Sequence, residues 1–218
     1  FIIFGAFLKN SGAGDLYTDF SYAIAGKKRG GPAKVSVISS ALFGTISGSG
    51  IANVVTTGSI TIPLMKKSGF KAQFAAAVEA VASTGGQIMP PIMGAGAFLM
   101  AEMIGTAYSE IMIAATLPAL LFFATVFFTI DLRAGKRGLV GLKASELPNM
   151  KEVLKERGHL IIPILVLLYT LLILGSTPIK AAFYSIISCI VVSYLRKNTR
   201  MKINNILLSL KEGVLGSL

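Results

Sequence analysis

Apolar residues occur along this chain in long blocks, separated by polar segments rich in lysine and arginine. The clearest block, residues 111–130, has no charged residue and would rise about 30 Å as a helix, enough to cross a bilayer once. Two further blocks, residues 160–174 and 179–195, are joined by a short Gly-Ser-Thr-Pro turn and form a predicted membrane hairpin. The pattern predicts an all-α polytopic membrane protein. Residues 131–158 form its predicted cytoplasmic loop, because basic residues concentrate there.

The apolar block between Lys34 and Lys66 does not have the length of one or of two membrane-crossing helices. It holds about thirty uncharged residues, too many for one crossing and too few for two. The sequence GTISGSGIAN divides it into arms at residues 35–46 and 52–65, each about 18–21 Å long as a helix. Basic residues flank both outer ends, which places both ends on the cytoplasmic side. We therefore predict a re-entrant hairpin over residues 35–65 with its tip at residues 45–53.

The next block, residues 70–104, is also too long for one straight span. Its centre reads STGGQIMPPIMGAG, in which paired glycines and prolines interrupt a continuous helix. A broken helix beside a re-entrant hairpin is how many secondary transporters build a site for ions and substrate near the middle of the membrane. We predict that residues 35–104 form such a unit.

The predicted tip and break are rich in small polar groups. Small oxygen donors beside exposed helix ends suit a hard monovalent cation and an anionic substrate. Ordinary packing of small residues between helices is the alternative explanation, but it does not account for two short arms with basic ends. The groups in question are Thr45, Ser47, Ser49 and Asn53 at the tip, and Ser83, Thr84, Gly85 and Gln87 at the break.

Glu79 precedes the predicted break by one to two helical turns, in the segment FAAAVEAVAST. An ionisable group at such depth in a membrane indicates a function, here tuning of cation affinity or proton movement. A salt bridge to Lys71 or to another basic group near the cytoplasmic boundary explains the same residue equally well. The sequence leaves both interpretations open.

Composition excludes several other classes of protein. Hydrophobic residues make up 53% of the chain and charged residues 14%, a balance unlike that of a soluble domain. The net charge of +11 could indicate nucleic-acid binding, but the basic residues lie between apolar blocks, as the positive-inside rule requires. One cysteine and one histidine provide neither a disulfide pair nor a cluster of metal ligands. No nucleophile and base pattern of a hydrolase is present, so we predict no enzyme, no cofactor and no nucleic-acid partner.

Two amphipathic stretches suggest helices that lie along the membrane interface. Their similar positions relative to the apolar blocks also suggest an internal repeat. Because both chain ends fall within apolar or periodic segments, we interpret the sequence as a fragment. The residues that share one apolar face are Leu16, Phe20, Ala23 and Ile24 in the first stretch, and Ile203, Leu207, Leu210 and Val214 in the second.

Three of these segments carry a resemblance to a known family. The phrases AGKKRGGPAKV, GTISGSGIANVVTTGSITIPLMKKSGF and FAAAVEAVASTGGQIMPPIMGAGAF closely resemble the large membrane subunit of tripartite ATP-independent periplasmic (TRAP) transporters. The resemblance covers residues 5–148. ANVVTTG and VEAVASTGGQIMPP are typical of the fused permeases that work with TAXI-type binding proteins.

The resemblance implies an elevator-type importer of the inner membrane, built from inverted repeats and driven by sodium as the coupling ion. Its implied partners are a periplasmic TAXI-type binding protein and small-subunit helices fused upstream. It divides the chain into a transmembrane helix end with an arm helix (1–34), a transport-domain part (35–104), a helix closing the first repeat (111–130), the loop (131–158) and the incomplete second repeat (160–218).

The site residues follow from mapping the family's first sodium site onto the tip and the break. The resemblance implies cation binding by Ser47, Ser49, Asn53 and Gly85. The substrate contacts that we predict are Thr45, Gly50, Ser83, Thr84, Gln87, Pro90 and Pro91, with Glu79 as a possible coupling residue. The predicted function is sodium-driven uptake of a small organic anion, with a channel or passive pore built from the same half-helices as the alternative.

Overall fold

The computed structural model describes residues 1–215, except for the side chain of residue 197. Within that range the chain is helical and has no strand, which confirms the predicted all-α class. The π-helical turn Lys9–Ala13 joins the first two helices, and a second one, Tyr169–Ile173, follows the ninth. The helices are α1 (Ile2–Leu8), α2 (Gly14–Ala25), α3 (Gly31–Ser47), α4 (Gly50–Lys67), α5 (Ala72–Gly85), α6 (Ala95–Ile104), α7 (Tyr108–Lys136), α8 (Met150–Arg157), α9 (Ile162–Leu168), α10 (Pro178–Ser193) and α11 (Ile203–Leu215).

Two helical stretches of the described chain are long and apolar enough to cross a membrane. The first is α7, with 29 residues, which contains the predicted span 111–130. The second is Ala144–Ile173, with 30 residues, in which α8 and α9 follow one another through short turns. Helix α10 is apolar but has only 16 residues. These lengths agree with a membrane protein.

Helices α3 and α4 lie antiparallel and are separated by only two residues, Gly48 and Ser49. Gly48 takes a left-handed conformation (φ 61°) that glycine adopts without strain. Ser49 caps α4, since its Oγ accepts a hydrogen bond from the Ala52 amide at 3.3 Å. Farther from the turn, the hydroxyls of Ser40 and Thr57 lie 3.2 Å apart across the pair.

The two arms are longer than the apolar pattern predicts. Helices α3 and α4 have 17 and 18 residues, whereas the uncharged segments suggested 12 to 14. Helix α3 begins earlier because Gly30 supplies a left-handed turn and Pro32 favours the first helical turn. Helix α4 continues through Lys66 and Lys67, because lysine is a good helix former and is favoured at a helix C-terminus.

The buried apolar residues form two clusters. One joins α3, α5 and α7 through side chains such as Val37, Val78 and Phe123. The other joins α1, α2, α9 and α10, and it reaches the α3–α4 turn through Ile46 and the loop after α5 through Ile92. The end of α3 therefore packs where both clusters meet.

Of the two amphipathic helices, only α11 presents its whole predicted apolar face outward. On the predicted face of α2, Leu16 is buried, Phe20 and Ala23 are half-buried and only Ile24 is exposed, while Tyr17, Ser21 and Ala25 are buried as well. In α11 the buried residues are Ser209 and Gly213, while Ile203, Leu207, Leu210 and Val214 are at least 42% exposed. Gly213 allows this packing, because a side chain there would lie 2.7 Å from the Cα of Ile3. An outward apolar face suits a lipid environment.

Candidate functional site

The helix break lies between α5 and α6. Helix α5 ends at Gly85, a short 3₁₀ turn (Gly86–Ile88) follows, and α6 begins at Ala95. The amide of Gly94 donates to the carbonyl of Gln87 at 2.7 Å, which closes the intervening loop. The hydroxyl of Tyr108, at the start of α7, lies 2.9 Å from the Pro91 carbonyl and 2.5 Å from the Ile92 carbonyl. The loop is therefore fixed by a hydrogen bond between its own ends and by the hydroxyl of Tyr108 on α7.

The hairpin and the break meet backbone to backbone. A Cβ at Gly44 would overlap the Cα of Gly86, and a Cβ at Gly86 would lie 3.0 Å from the Cα of Gly44 and 2.8 Å from the side-chain Nδ2 of Asn53. At the turn, a Cβ at Gly48 would overlap the carbonyl oxygen of Met93. Side chains of any size would separate these segments, so glycine is what permits the contact.

A cavity of about 1130 Å³ opens beside this contact. Its lining includes the α3–α4 turn from Ser47 to Gly50, Gln87 in the break, and Gly94 and Ala95 at the start of α6. Because α4 and α6 both begin at the cavity, the positive ends of two helix dipoles face it. Residues of α1 and the start of α10 complete the wall.

The structure brings only some of the predicted site residues to the cavity. Ser47, Ser49, Gly50 and Gln87 line it. The Ser47 hydroxyl lies 3.4 Å from the Ser49 carbonyl oxygen, so two neutral oxygens are adjacent at the turn. The amide of Gln87 faces Gly50, since a Cβ at Gly50 would lie 2.6 Å from its nitrogen.

The other predicted residues are not among those that line the cavity. Asn53 is fully buried and donates from its side-chain amide to the Ser40 carbonyl at 2.8 Å. Gly85 packs against the ring of Phe122 on α7. The Thr45 and Thr84 hydroxyls donate to the carbonyls of Leu42 and Ala80, at 2.5 and 2.7 Å. Pro90 and Pro91 lie in the loop that Tyr108 holds.

Glu79 lies at the centre of a second polar group, here called the Glu79 cluster. Its side chain is fully buried, and the distances from its carboxylate oxygens to the hydroxyls of Ser36, Ser40 and Ser83 are 2.7, 3.2 and 3.1 Å. The hydroxyls of Thr57 and Thr61 donate to it as well. The five hydroxyls come from α3, α4 and α5.

Sequence reasoning missed four members of this cluster, Ser36, Ser40, Thr57 and Thr61. The sequence did contain a sign of them: Ser36 and Ser40 are four residues apart, as are Thr57 and Thr61, so that each pair lies on one face of its helix. The predicted alternative for Glu79, a salt bridge with Lys71, does not occur in the described part of the chain, where no basic nitrogen lies within 4 Å of its carboxylate.

A family profile described as "Tripartite ATP-independent periplasmic transporter, DctM component" matches residues 1–217. The chain belongs to this DctM family. The resemblance to the large subunit of TRAP transporters is thereby confirmed. Members of the DctM family are membrane permeases, which supports the prediction that this chain is not an enzyme.

Several curated relatives of this DctM chain are TRAP permeases. It is 29% identical over 205 residues to the "C4-dicarboxylate TRAP transporter large permease protein DctM" of Rhodobacter capsulatus, covering 88% of this chain and 47% of the relative. The protein of the same name from Pseudomonas aeruginosa is 31% identical over 153 residues, which are 70% of this chain and 34% of the relative. An uncharacterized protein of Sinorhizobium fredii is 30% identical over 169 residues, 77% of this chain and 40% of the relative. The chain thus spans about half the length of the relatives it matches, or less.

The contact between Tyr108 and the loop gives a first prediction for this DctM chain. Replacing Tyr108 by phenylalanine keeps the ring but removes the donor shared by two buried carbonyls, which typically costs about 1–3 kcal/mol. We expect a lower thermal unfolding midpoint for the complete permease. Tyr184→Phe is the control, since Tyr184 is 51% exposed. Equal midpoints for the two variants would contradict the role assigned to Tyr108.

Proposed function

We propose that this chain is part of the permease of a binding-protein-dependent secondary transporter, which imports a small organic anion with a sodium gradient. The observation that carries the proposal is the shared cavity of the α3–α4 turn and the helix break. The N-termini of two helices and Gln87, whose side-chain amide lies beside Gly50, line that cavity, and such groups favour a carboxylate. The relatives named as C4-dicarboxylate permeases support the same class of substrate.

The cation would bind at the α3–α4 turn. The Ser47 hydroxyl and the Ser49 carbonyl are neutral oxygens of the kind that bind a hard monovalent ion in transporters with broken helices. Both residues line the cavity, so that an ion there would lie beside the anionic substrate. Asn53 and Gly85 would support the turn from behind, because their side chain and backbone are engaged in packing and a hydrogen bond.

The remaining parts of the proposal follow from the resemblance. We infer a multi-pass protein of the inner membrane in which α3–α6 belong to a mobile transport domain of an elevator with inverted repeats. Its partners would be a periplasmic TAXI-type binding protein and small-subunit helices fused upstream. Because the chain spans about half of its relatives' length, the rest of the substrate site would lie on the remainder of the permease.

Uptake by the complete permease in proteoliposomes tests this function. The permease is reconstituted with its cognate binding protein, and a radiolabelled C4-dicarboxylate such as succinate is offered outside. We expect accumulation above the external concentration when sodium is high outside, and loss of accumulation when choline replaces sodium. Accumulation that is equal in choline would overturn sodium coupling, and equilibration without accumulation would indicate the passive pore instead.

A further inference from the structure

The Glu79 cluster lies outside the cavity, and the proposed sodium and substrate contacts do not use it. It brings a carboxylate and five hydroxyls together in the protein interior, between both arms of the α3–α4 hairpin and the helix that leads to the break. A buried carboxylate is costly to keep charged unless it is paired or fully hydrogen-bonded. The partners of Glu79 therefore decide what it does.

No positive charge compensates Glu79 in the described residues. On α3, the ammonium of Lys34 pairs with Asp131 of α7 instead. Lys66 and Lys67 lie at the far end of α4, and Lys71 precedes α5; all three are exposed. On α7, Arg133 lies over the ring of Phe74. The nearest partners of the carboxylate are thus neutral hydroxyls.

The spacing of the cluster suits a proton better than a metal ion. The serine hydroxyl oxygens lie 2.7 to 3.2 Å from the carboxylate oxygens, which is ordinary hydrogen-bond distance. A proton can join such a cluster without moving any heavy atom. A metal ion would have to turn the hydroxyl hydrogens away and push several oxygens apart.

The hydroxyls can also satisfy either charge state of the carboxyl group. When Glu79 is ionised, all five hydroxyls can donate to it. When it is protonated, its own O–H needs an acceptor, and the hydroxyl that accepts must donate elsewhere. Thr57 has the Asn53 carbonyl at 2.8 Å, and Thr61 has the Thr57 carbonyl at 3.0 Å. Rotation of one or two O–H bonds therefore converts one satisfied network into the other.

Resting on the proposed function, we propose that Glu79 is a proton-binding site and that the permease moves a proton together with its cation and organic anion. The ionised carboxylate holds both arms of the hairpin against α5 through all five donors. Protonation neutralises the charge and reverses at least one hydrogen bond, so that hydrogen bonds to a carboxylate become weaker bonds to a neutral carboxyl group, which loosens the hairpin next to the break. Moving this unit through the low dielectric of the membrane costs less when Glu79 is neutral.

Proton movement in the reconstituted permease tests the proposal. Proteoliposomes containing a trapped pH-sensitive dye are given a sodium gradient and succinate, and the internal pH is followed with uptake. We expect the wild type to acidify the interior with each substrate taken up. Glu79→Gln should still exchange external for internal succinate but lose the acidification. Glu102→Gln, which changes an exposed carboxylate on α6, should acidify like the wild type.

The outcomes separate this proposal from the proposed function. Sodium-driven uptake with equal acidification per substrate in wild type and Glu79→Gln would leave the function intact and overturn the proton site. If no variant transports succinate, infrared spectroscopy of the purified permease still tests whether Glu79 binds a proton. The wild type and Glu102→Gln should show a carboxylic-acid C=O band that disappears with rising pH and is missing in Glu79→Gln. The same band in Glu79→Gln would overturn the assignment.

If Glu79→Gln does not fold, the conservative variant Thr61→Val replaces it. That variant removes one donor of the cluster, so the pH at which the infrared band disappears should move from its wild-type position. An unchanged pH would contradict a carboxyl group surrounded by these hydroxyls.

Discussion

Replacing Gly44 by alanine is expected to reduce uptake by the complete permease by about tenfold or more. The added methyl group would overlap the Cα of Gly86, and both positions belong to backbone that cannot move aside as a flexible side chain can. Overpacking of this kind typically costs about 1–3 kcal/mol, and about 1.4 kcal/mol corresponds to a factor of ten. Here the cost falls on the contact that brings the hairpin turn and the break to one cavity.

Gly96→Ala is the matched control for this substitution. Gly96 lies in the first turn of α6, and beyond its chain neighbours and the backbone of its own helix no described atom lies within 4 Å of the position its Cβ would take. Alanine is the better helix former by about 1 kcal/mol, so that this variant should fold and transport like the wild type. Both variants add the same methyl group, and they differ in whether the surrounding atoms leave room for it. If Gly44→Ala and Gly96→Ala transport at the same rate, the close backbone contact does not shape the site.

Block length and helix-breaking residues made much of the fold predictable. The all-α class follows from apolar blocks without alternation, and α7 follows from one long uncharged run. The run STGGQIMPP predicts a helix end near Gly85 because glycine and proline act locally, through backbone freedom and a missing amide donor. These features can be predicted without knowing which helices contact one another.

The contacts between helices could not be predicted, because they depend on the register in which the helices pack against one another. Ser36 and Ser40 share a face of α3, and Thr57 and Thr61 share a face of α4, but the sequence does not say that both faces meet Glu79. The same limit applies to Asn53, for which the sequence does not show that its side-chain amide donates to the Ser40 carbonyl on the opposite arm, away from the residues that line the cavity. Small polar residues serve as ligands or as packing contacts according to what lies opposite them.

The outward apolar face of α11 shows a related limit. An apolar stripe indicates burial in a soluble protein, whereas in a membrane protein lipid covers it equally well. In α11 the protein-facing side is instead marked by Ser209 and Gly213, small residues that allow close helix contact. Amphipathicity alone therefore located α11 but not the face through which it packs.

Asp131→Asn is expected to lower the thermal unfolding midpoint of the complete permease by several degrees. The carboxylate of Asp131, near the end of α7, forms ion pairs with Lys34 and Arg29. The Lys34 side chain is only 4% exposed, and its ammonium lies 4.7 Å from the centre of the Phe127 ring. Removing the carboxylate leaves this buried ammonium without a counter-charge, which is much more costly than losing an exposed pair.

Two further variants identify the buried charge as the cause. Arg29→Gln removes the other partner, whose side chain is 52% exposed, and should change the midpoint little because solvent screens such a pair. Adding Lys34→Met to Asp131→Asn removes the stranded ammonium and should restore most of the lost stability, since an apolar side chain of similar length suits the space beside Phe127. If Asp131→Asn is as mild as Arg29→Gln, or if Lys34→Met gives no recovery, the link between α3 and α7 does not depend on the buried ion pair. Recovery would instead show that the start of α3 is bound to α7 through the neutralised charge of Lys34. The ion pair then fixes that end of the hairpin, and the Glu79 cluster holds the middle of both arms against α5.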